Sequence, residues 1–511
     1  MPSHLSVSLT SLQAGKLSYV LAAIAGALVT LSLAPFNYWP LGILSSAVLA
    51  WLLMNVSPAQ AALRGWFYGL GLFGAGTSWV YVSIHVYGYA PVPLAVALTI
   101  LFSAGLGLFT CFTFYIYARW VRDTALGKIA GFAAIFVLGE WLRSWFLTGF
   151  PWLYLGYGHL NTPLAGWAPV GGVLTLSFIV AISGAYLAQA LTQQQWFPRH
   201  IVAVLTLWIG GWGLTHYDWV TPSEKGSVDI AMVQLNIPQE IKWNRDQYWP
   251  TLNLYNEISE PPWSKADIVI WPEAAIPGYY HNAREFLKNM EKKALQHQST
   301  LITGLPYREP HTAGQQVHNY NSVMAFGNGS GIYHKQHLVP FGEYVPLESL
   351  LRGLITFFNL PMSSFTAGSS NQAGITANGF LLAPFICYEV VYPDIVTHWL
   401  PQADILITIS NDAWFGHSIG PLQHLQMAQM RALENGRYLI RATGSGVSAI
   451  VDHHGKIIQR SEQFKRQILT GTAVALSGTT PFSRFGSWLI VVLCALICGS
   501  GFLYNRLRGE D

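Results

Sequence analysis

Charge is what this sequence has least of. Only 10% of its 511 residues are Asp, Glu, Lys or Arg, where a soluble globular chain carries about 25%. The shortage is uneven. Before Asp218 the only acids are Asp123 and Glu140, whereas the stretch from Asp218 to Gln467 has the texture of an ordinary soluble domain. A wholly soluble fold is thereby excluded. The formal net charge of +3 is too small for an electrostatic hold on a polyanion, so no nucleic-acid partner is expected. Cysteine is scarce as well. Cys111, Cys494 and Cys498 lie in apolar runs, which leaves Cys387 alone in the polar half and excludes a disulfide framework there. Internal repeats and low-complexity tracts are also missing, which argues against a solenoid.

What is present is long apolar sequence. A spanning helix needs about 20 mostly apolar residues. Candidate spans are Leu17–Ala34, Trp39–Val56, Gly65–Ile84, Val92–Tyr115, Ile129–Leu147, Val170–Ala190, Ile201–Leu214 and, near the C-terminus, Trp488–Tyr504. No small-residue cleavage site follows the first run, so it reads as a retained helix. Lys16, Arg64, Arg119, Arg122, Lys128, Arg199, Arg506 and Arg508 fall at alternate connections, while the connections near Pro35, His85 and Asn161 carry no Lys or Arg. The positive-inside rule then predicts both termini in the cytoplasm and the polar half outside it. The expected organisation is a membrane domain at 1–217, an extracytoplasmic domain at 218–480 and a last span with a cytoplasmic tail at 481–511. Glu140 and Arg143 sit inside the fifth run at helical spacing. Substrate or headgroup contact and a structural ion pair both remain open for them.

The polar half alternates short β-branched runs with helical stretches. Strands are predicted at 229–235, 267–271, 300–304, 322–327, 379–386, 405–410 and 448–451, and helices at 281–298 and 424–437. This alternation predicts an α/β layered domain beside an α-helical membrane bundle. His334, His337, His453 and His454 have no zinc-ligand spacing, and His-Leu-Gln-Met-Ala at 424–428 is not a zinc-protease helix motif, so no metal is expected.

Three polar residues stand at the ends of strand-like runs: Glu273 in Trp-Pro-Glu-Ala, Lys335 in Tyr-His-Lys-Gln-His, and Cys387 in Ile-Cys-Tyr-Glu. Singly, each has an ordinary reading as a helix-start acid, a solvated lysine or a small buried hydrophobe. Together they form a chemical set. A thiol needs a base before it attacks a carbonyl, and the resulting oxyanion needs donors such as an ammonium and the backbone N–H after the nucleophile.

The segments Trp271–Ala274, His334–Glu343, Phe385–Glu389 and Ser410–Gly416 resemble the Glu–Lys–Cys pattern of the nitrilase, or carbon–nitrogen hydrolase, superfamily. With the membrane half included, nearly the whole chain resembles the bacterial apolipoprotein N-acyltransferase family. The resemblance implies a nitrilase-like α-β-β-α sandwich. It implies Glu273 as general base, Lys335 as oxyanion stabiliser and Cys387 as nucleophile, with Glu343, Tyr388 and Glu389 supporting them. Trp243 and Trp414 are expected at the entrance or substrate site. The implied reaction moves a fatty acyl chain, from the sn-1 position of phosphatidylethanolamine, through a thioester to the α-amino group of a diacylglyceryl apolipoprotein. No cofactor is implied. The setting is the bacterial inner membrane, multi-pass, with the catalytic domain in the periplasm, and a monomer is expected. The apolar stretch 350–370 reads either as a lid over the acyl site or as ordinary packing, with Arg352, Phe357 and Phe358 as candidate substrate contacts. A membrane-tethered amidase that releases the acyl group to water, and a transporter with an inert soluble domain, are the competing readings.

Overall fold

The computed structural model describes residues 13, 15–124, 126–193, 198–310, 317–346, 364–400 and 402–508. Apolar sequence that leaves no water-facing side favours helices, because a helix satisfies its own backbone. The first half accordingly folds as α1 (Leu17–Ser32), α2 (Pro40–Leu52), α3 (Pro58–Gly76), α4 (Val92–Ile116), α5 (Phe132–Trp145), α6 (Ala168–Gln193) and α7 (Pro198–Leu214), joined by the C-terminal helix Trp488–Arg508. Among the described residues, Val92–Val121, Gly127–Thr148 and Pro163–Thr192 are long and apolar enough to cross a membrane. Shorter apolar helices are Leu17–Ser32, Pro40–Leu52, His200–Leu214 and Trp488–Ser500.

The expected span Gly65–Ile84 is not one helix. A capping box, in which Gln60 N–H donates to Ser57 Oγ and Ser57 N–H donates to Gln60 Oε1, starts α3 earlier, with Pro58 in the first turn. The helix ends at Gly76, and Thr77 turns its hydroxyl back to the Phe73 carbonyl at 2.7 Å. Small residues set the packing of this unit. Gly26 of α1 lies on the Tyr68 carbonyl and Gly71 of α3 lies on that of Ala23, so neither has room for a Cβ. Glu140 and Arg143 of α5 hold the connection that follows. Leu155 N–H donates to Glu140 Oε1 at 2.8 Å, and Arg143 donates to the Phe150 and Trp152 carbonyls at 2.5 and 2.6 Å.

Cα packing divides the chain into two units: Met1–Tyr81 with Pro91–Asp218 and Phe485–Asp511, and Val82–Ala90 with Trp219–Arg484. In the second unit, strands β1 (Val220–Gln234), β2 (Ile268–Ile270), β3 (Thr300–Arg308), β4 (Asn319–Gly327), β6 (Ile332–His334) and β13 (Gln467–Gly478) form a sheet in the order β13-β1-β2-β3-β4-β6. A second sheet has the order β12-β11-β10-β9-β8-β7-β5, built from β5 (Gly329–Ser330), β7 (Ile375–Ala377), β8 (Phe380–Ile386), β9 (Ile405–Ser410), β10 (Leu439–Thr443), β11 (Ala449–Val451) and β12 (Ile457–Arg460). Each sheet has a parallel centre, β1-β2-β3 in one and β8-β9-β10 in the other.

The two sheets face each other and helices cover them outside. α8 (Arg245–Ile258) and α9 (Tyr280–Gln296) bury Leu252, Tyr255, Leu287 and Met290 against Val233, Val269, Trp271 and Leu301 of the first sheet. α10 (Gly420–Asn435) packs on β10 of the second. This is the α-β-β-α sandwich of a nitrilase-like fold. Two helices run differently from their apolar pattern. α8 is amphipathic but polar, with Pro250 inside it, so periodicity alone missed it. α10 starts at Gly420–Pro421, a pair that reads as a break but is well suited to a first turn.

Candidate active site

Parallel strands all release their chains at the same sheet edge, so residues just past their C-terminal ends converge there. Glu273 follows β2, Cys387 follows β8 directly, and Asn411 follows β9 directly. Lys335 follows β6 on the same sheet as Glu273. Glu273 is buried and fully committed to donors. Asn321 Nδ2 donates to its Oε1 at 2.8 Å and the Asn411 backbone N–H to its Oε2 at 2.7 Å. The neighbouring strand supports it at close range: a Cβ on Gly304 would stand 2.7 Å from Glu273 Cα.

Lys335 is buried and bridges two carboxylates. Its Nζ lies 2.9 Å from Glu343 Oε1 and 3.8 Å from Glu273 Oε1. Glu343 is itself held by Asn321 Nδ2 at 2.9 Å and by the Val339 N–H at 2.9 Å. Burial opposes charge on the Lys335 ammonium, but Glu343 and Glu273 outweigh it, so its pKa rises above the ordinary lysine value. Cys387 is half-buried, and its backbone is left-handed with φ +55°. Burial, and then the Glu273 charge, push its thiol well above the ordinary cysteine value, with Lys335 pulling the other way. The thiol therefore lies in the electrostatic field of a carboxylate and an ammonium.

Residues 25–186 match the apolipoprotein N-acyltransferase N-terminal domain, and residues 229–481 match the carbon–nitrogen hydrolase domain. The apolipoprotein N-acyltransferase of Pseudomonas syringae pv. tomato is 46% identical over 96% of this chain and 97% of its own. The Vibrio parahaemolyticus protein of the same name is 41% identical over 93% of this chain and 95% of its own. The chain belongs to the apolipoprotein N-acyltransferase family. Among solved structures, a CN-hydrolase superfamily protein from Xanthomonas campestris is 18% identical with a TM-score of 0.37, covering 48% of this chain and 90% of that one.

The structure places the remaining sequence-predicted residues of this acyltransferase as follows. Glu389 is buried and binds the strand end that carries Cys387 to the segment that carries Lys335. It accepts from Ile386 N–H at 2.7 Å, Gln336 N–H at 2.6 Å, His337 N–H at 3.1 Å and Tyr333 Oη–H at 2.9 Å. Burial lifts its pKa to about 7 against the pull of those bonds. Half-buried Tyr388 packs its ring 5.1 Å from Tyr392. Trp243 is half-buried after the short helix Gln239–Lys242, and half-buried Trp414 has its ring 5.9 Å from Tyr87. Arg352, Phe357, Phe358 and most of the 350–370 stretch lie outside the described residues. Arg431 and Glu434, on α10, form a buried ion pair at 3.1 Å.

Sequence reading missed several buried groups around the set. Asn321 and Asn411 hold Glu273, and the Asn411 side chain also donates to Gln239 Oε1 at 3.0 Å. Lys242 is buried and donates to the Glu273 carbonyl at 3.3 Å. Burial lowers its ammonium to about 8, against the Glu273 charge. Asp412, His424 and Arg441 form a second buried cluster behind Cys387. The one available signal was polarity inside otherwise apolar strands, as at Asn321 and Arg441.

Proposed function

We propose that Cys387 carries a fatty acyl group between two lipid-anchored substrates. In the first half-reaction the Cys387 sulfur attacks the sn-1 ester carbonyl of phosphatidylethanolamine while Glu273 takes the thiol proton. The tetrahedral intermediate collapses, the ester C–O bond breaks, and Glu273 returns the proton to the leaving lysophospholipid. In the second, the α-amino group of a diacylglyceryl-cysteine on an apolipoprotein attacks the thioester. The sulfur leaves, an amide forms, and the released proton restores the thiol. Lys335, with the backbone N–H of Tyr388, meets the oxyanion in both steps. Glu343, Glu389 and Tyr388 support the site, and Trp243 and Trp414 lie toward its entrance.

The observation that carries this reading is the thiol of Cys387 under the joint influence of Glu273 and Lys335, in a chain whose other unit is apolar helix. Orientation rests on the loop charges: the connections near Pro35, His85 and Asn161 carry no Lys or Arg. By the positive-inside rule the connections without Lys or Arg lie outside the cytoplasm, which favours the periplasmic face of the inner membrane for the catalytic domain. We propose a monomer with membrane segments at 1–217 and 481–511 around the catalytic domain 218–480.

The test is direct. Purified protein incubated with sn-1-labelled phosphatidylethanolamine should gain an acyl mass on the Cys387 peptide, removable by hydroxylamine and chased onto a diacylglyceryl peptide. Active protein that never carries the mass rules out the thioester route. Release of the acyl chain as free acid in preference to the amide favours a hydrolase.

A further inference from the structure

Cys387 holds a left-handed backbone, φ +55°, that a non-glycine residue keeps only where its surroundings enforce it. One enforcing group is identifiable. His424 Nε2 lies 3.2 Å from the Cys387 carbonyl oxygen. Its other nitrogen, Nδ1, lies 3.0 Å from Arg441 Nη2 and 3.2 Å from Asp412 Oδ1. Arg441 Nη2 also donates to Asp412 Oδ2 at 2.6 Å, and Ser410 Oγ donates to Asp412 Oδ1 at 2.7 Å. All three side chains are buried.

The donor inventory selects a tautomer. Guanidinium has only donors, so the Nδ1 beside Arg441 is best satisfied as the lone-pair nitrogen. The proton then sits on Nε2, where it can be donated to the Cys387 carbonyl. A proton on Nδ1 could go to Asp412 Oδ1 at 3.2 Å, but it would face Arg441 Nη2 donor to donor at the shorter 3.0 Å and leave Nε2 facing the carbonyl acceptor to acceptor. Burial, followed by the Arg441 charge, lowers the His424 pKa against the pull of Asp412. Burial would raise the Asp412 carboxyl, but Arg441 and His424 hold it below the ordinary aspartate value, so the acid stays ionised behind the ring.

A planar trans peptide points its C=O and N–H in opposite directions. Fixing the Cys387 carbonyl therefore also fixes the direction of the Tyr388 N–H, the donor proposed for the oxyanion. We infer that His424 is a positioning residue for the nucleophile turn. Its Nε2–H holds the Cys387 carbonyl, keeps the left-handed backbone in place and aims the Tyr388 N–H, while Arg441, held by Asp412, sets the tautomer. The inference rests on the thioester reading for its catalytic consequence but not for its geometry.

The experiment compares His424→Gln, whose amide nitrogen reaches the Nε2 position, with His424→Asn, whose amide reaches only as far as Nδ1. The rate of acyl-enzyme formation and KM for phosphatidylethanolamine are measured on full-length protein, with thermal unfolding as the fold control. The expected result is a maximal rate on the order of 10- to 100-fold lower for Asn, at unchanged KM, with Gln near the starting protein. Equal loss in both variants, or no loss in either, overturns the inference. Iodoacetamide alkylation of Cys387, which needs no phospholipid, is read in parallel. Should the unsubstituted protein form no acyl-enzyme, the thioester reading fails alone, and the alkylation rates still decide: a change in Asn that Gln restores supports the positioning role, and identical rates in all three reject it.

Discussion

Lys335 Nζ stands 2.9 Å from Glu343 Oε1, close enough for a charge-assisted hydrogen bond between two buried groups. The same ammonium lies farther, 3.8 Å, from Glu273. Glu343 thus holds the lysine more closely than the carboxylate proposed as base, which accepts from Asn321 Nδ2 and the Asn411 N–H instead. Glu343→Gln removes the competing charge. Lys335 should then settle on Glu273 and pair with the proposed base, slowing thioester formation by about 10- to 100-fold. Stopped-time mass measurement of the Cys387 peptide checks this, and an unchanged rate would reject the division of labour.

The left-handed backbone at Cys387 predicts a separation of stability from activity. Cys387→Ala and Cys387→Gly should both lose acyl-enzyme formation entirely. Glycine adopts positive φ without a Cβ penalty, so the Gly variant should be the more stable of the two by roughly 1 kcal/mol. Thermal unfolding of the pair gives the answer, and a less stable Gly variant contradicts the assigned conformation.

Gly304 sits where a Cβ would meet Glu273 Cα at 2.7 Å and the Pro272 carbonyl at 2.8 Å. Both obstacles are backbone and cannot swing aside. Gly304→Ala should cost about 1–3 kcal/mol of stability and displace Glu273, lowering acylation more than the stability loss alone explains. A variant as stable and active as the starting protein would mean that the strands yield at no cost.

Lys242 gives a pH prediction. Its folded pKa, about 8, lies below the roughly 10.4 of an unfolded lysine. Between those values the unfolded chain binds the extra proton, so this group makes stability rise as pH rises through the window. Lys242→Met should flatten that rise, and its stability advantage at pH 7 should shrink toward pH 10. Unfolding midpoints of both proteins across this range test the sign. An advantage that grows with pH would be incompatible with a buried, reluctantly charged lysine.

Much of the architecture is written in consecutive residues. The scarcity of acids before Asp218 and the apolar runs marked the helical unit, and β-branched runs marked strands such as Ile405–Ser410. Local pattern failed where the pattern itself was weak. β13 is half exposed, α8 is polar around Pro250, and the Gly65–Ile84 run hides a helix end at Gly76. Strand ends drew attention to Glu273, Lys335 and Cys387 because a polar residue after an apolar run is visible in one dimension.

The sequence by itself thus determined which stretches seek lipid, which form strands, and which polar side chains stand at strand ends, since hydropathy and periodicity belong to neighbours along the chain. Only the tertiary structure decided the partners: Asn321 and Asn411 on Glu273, Glu343 on Lys335, His424 on the Cys387 carbonyl. It alone also decided the left-handed turn at Cys387. The physical reason is that a buried polar group must be paired, and the available partner depends on which distant strand ends the two sheets bring to one edge.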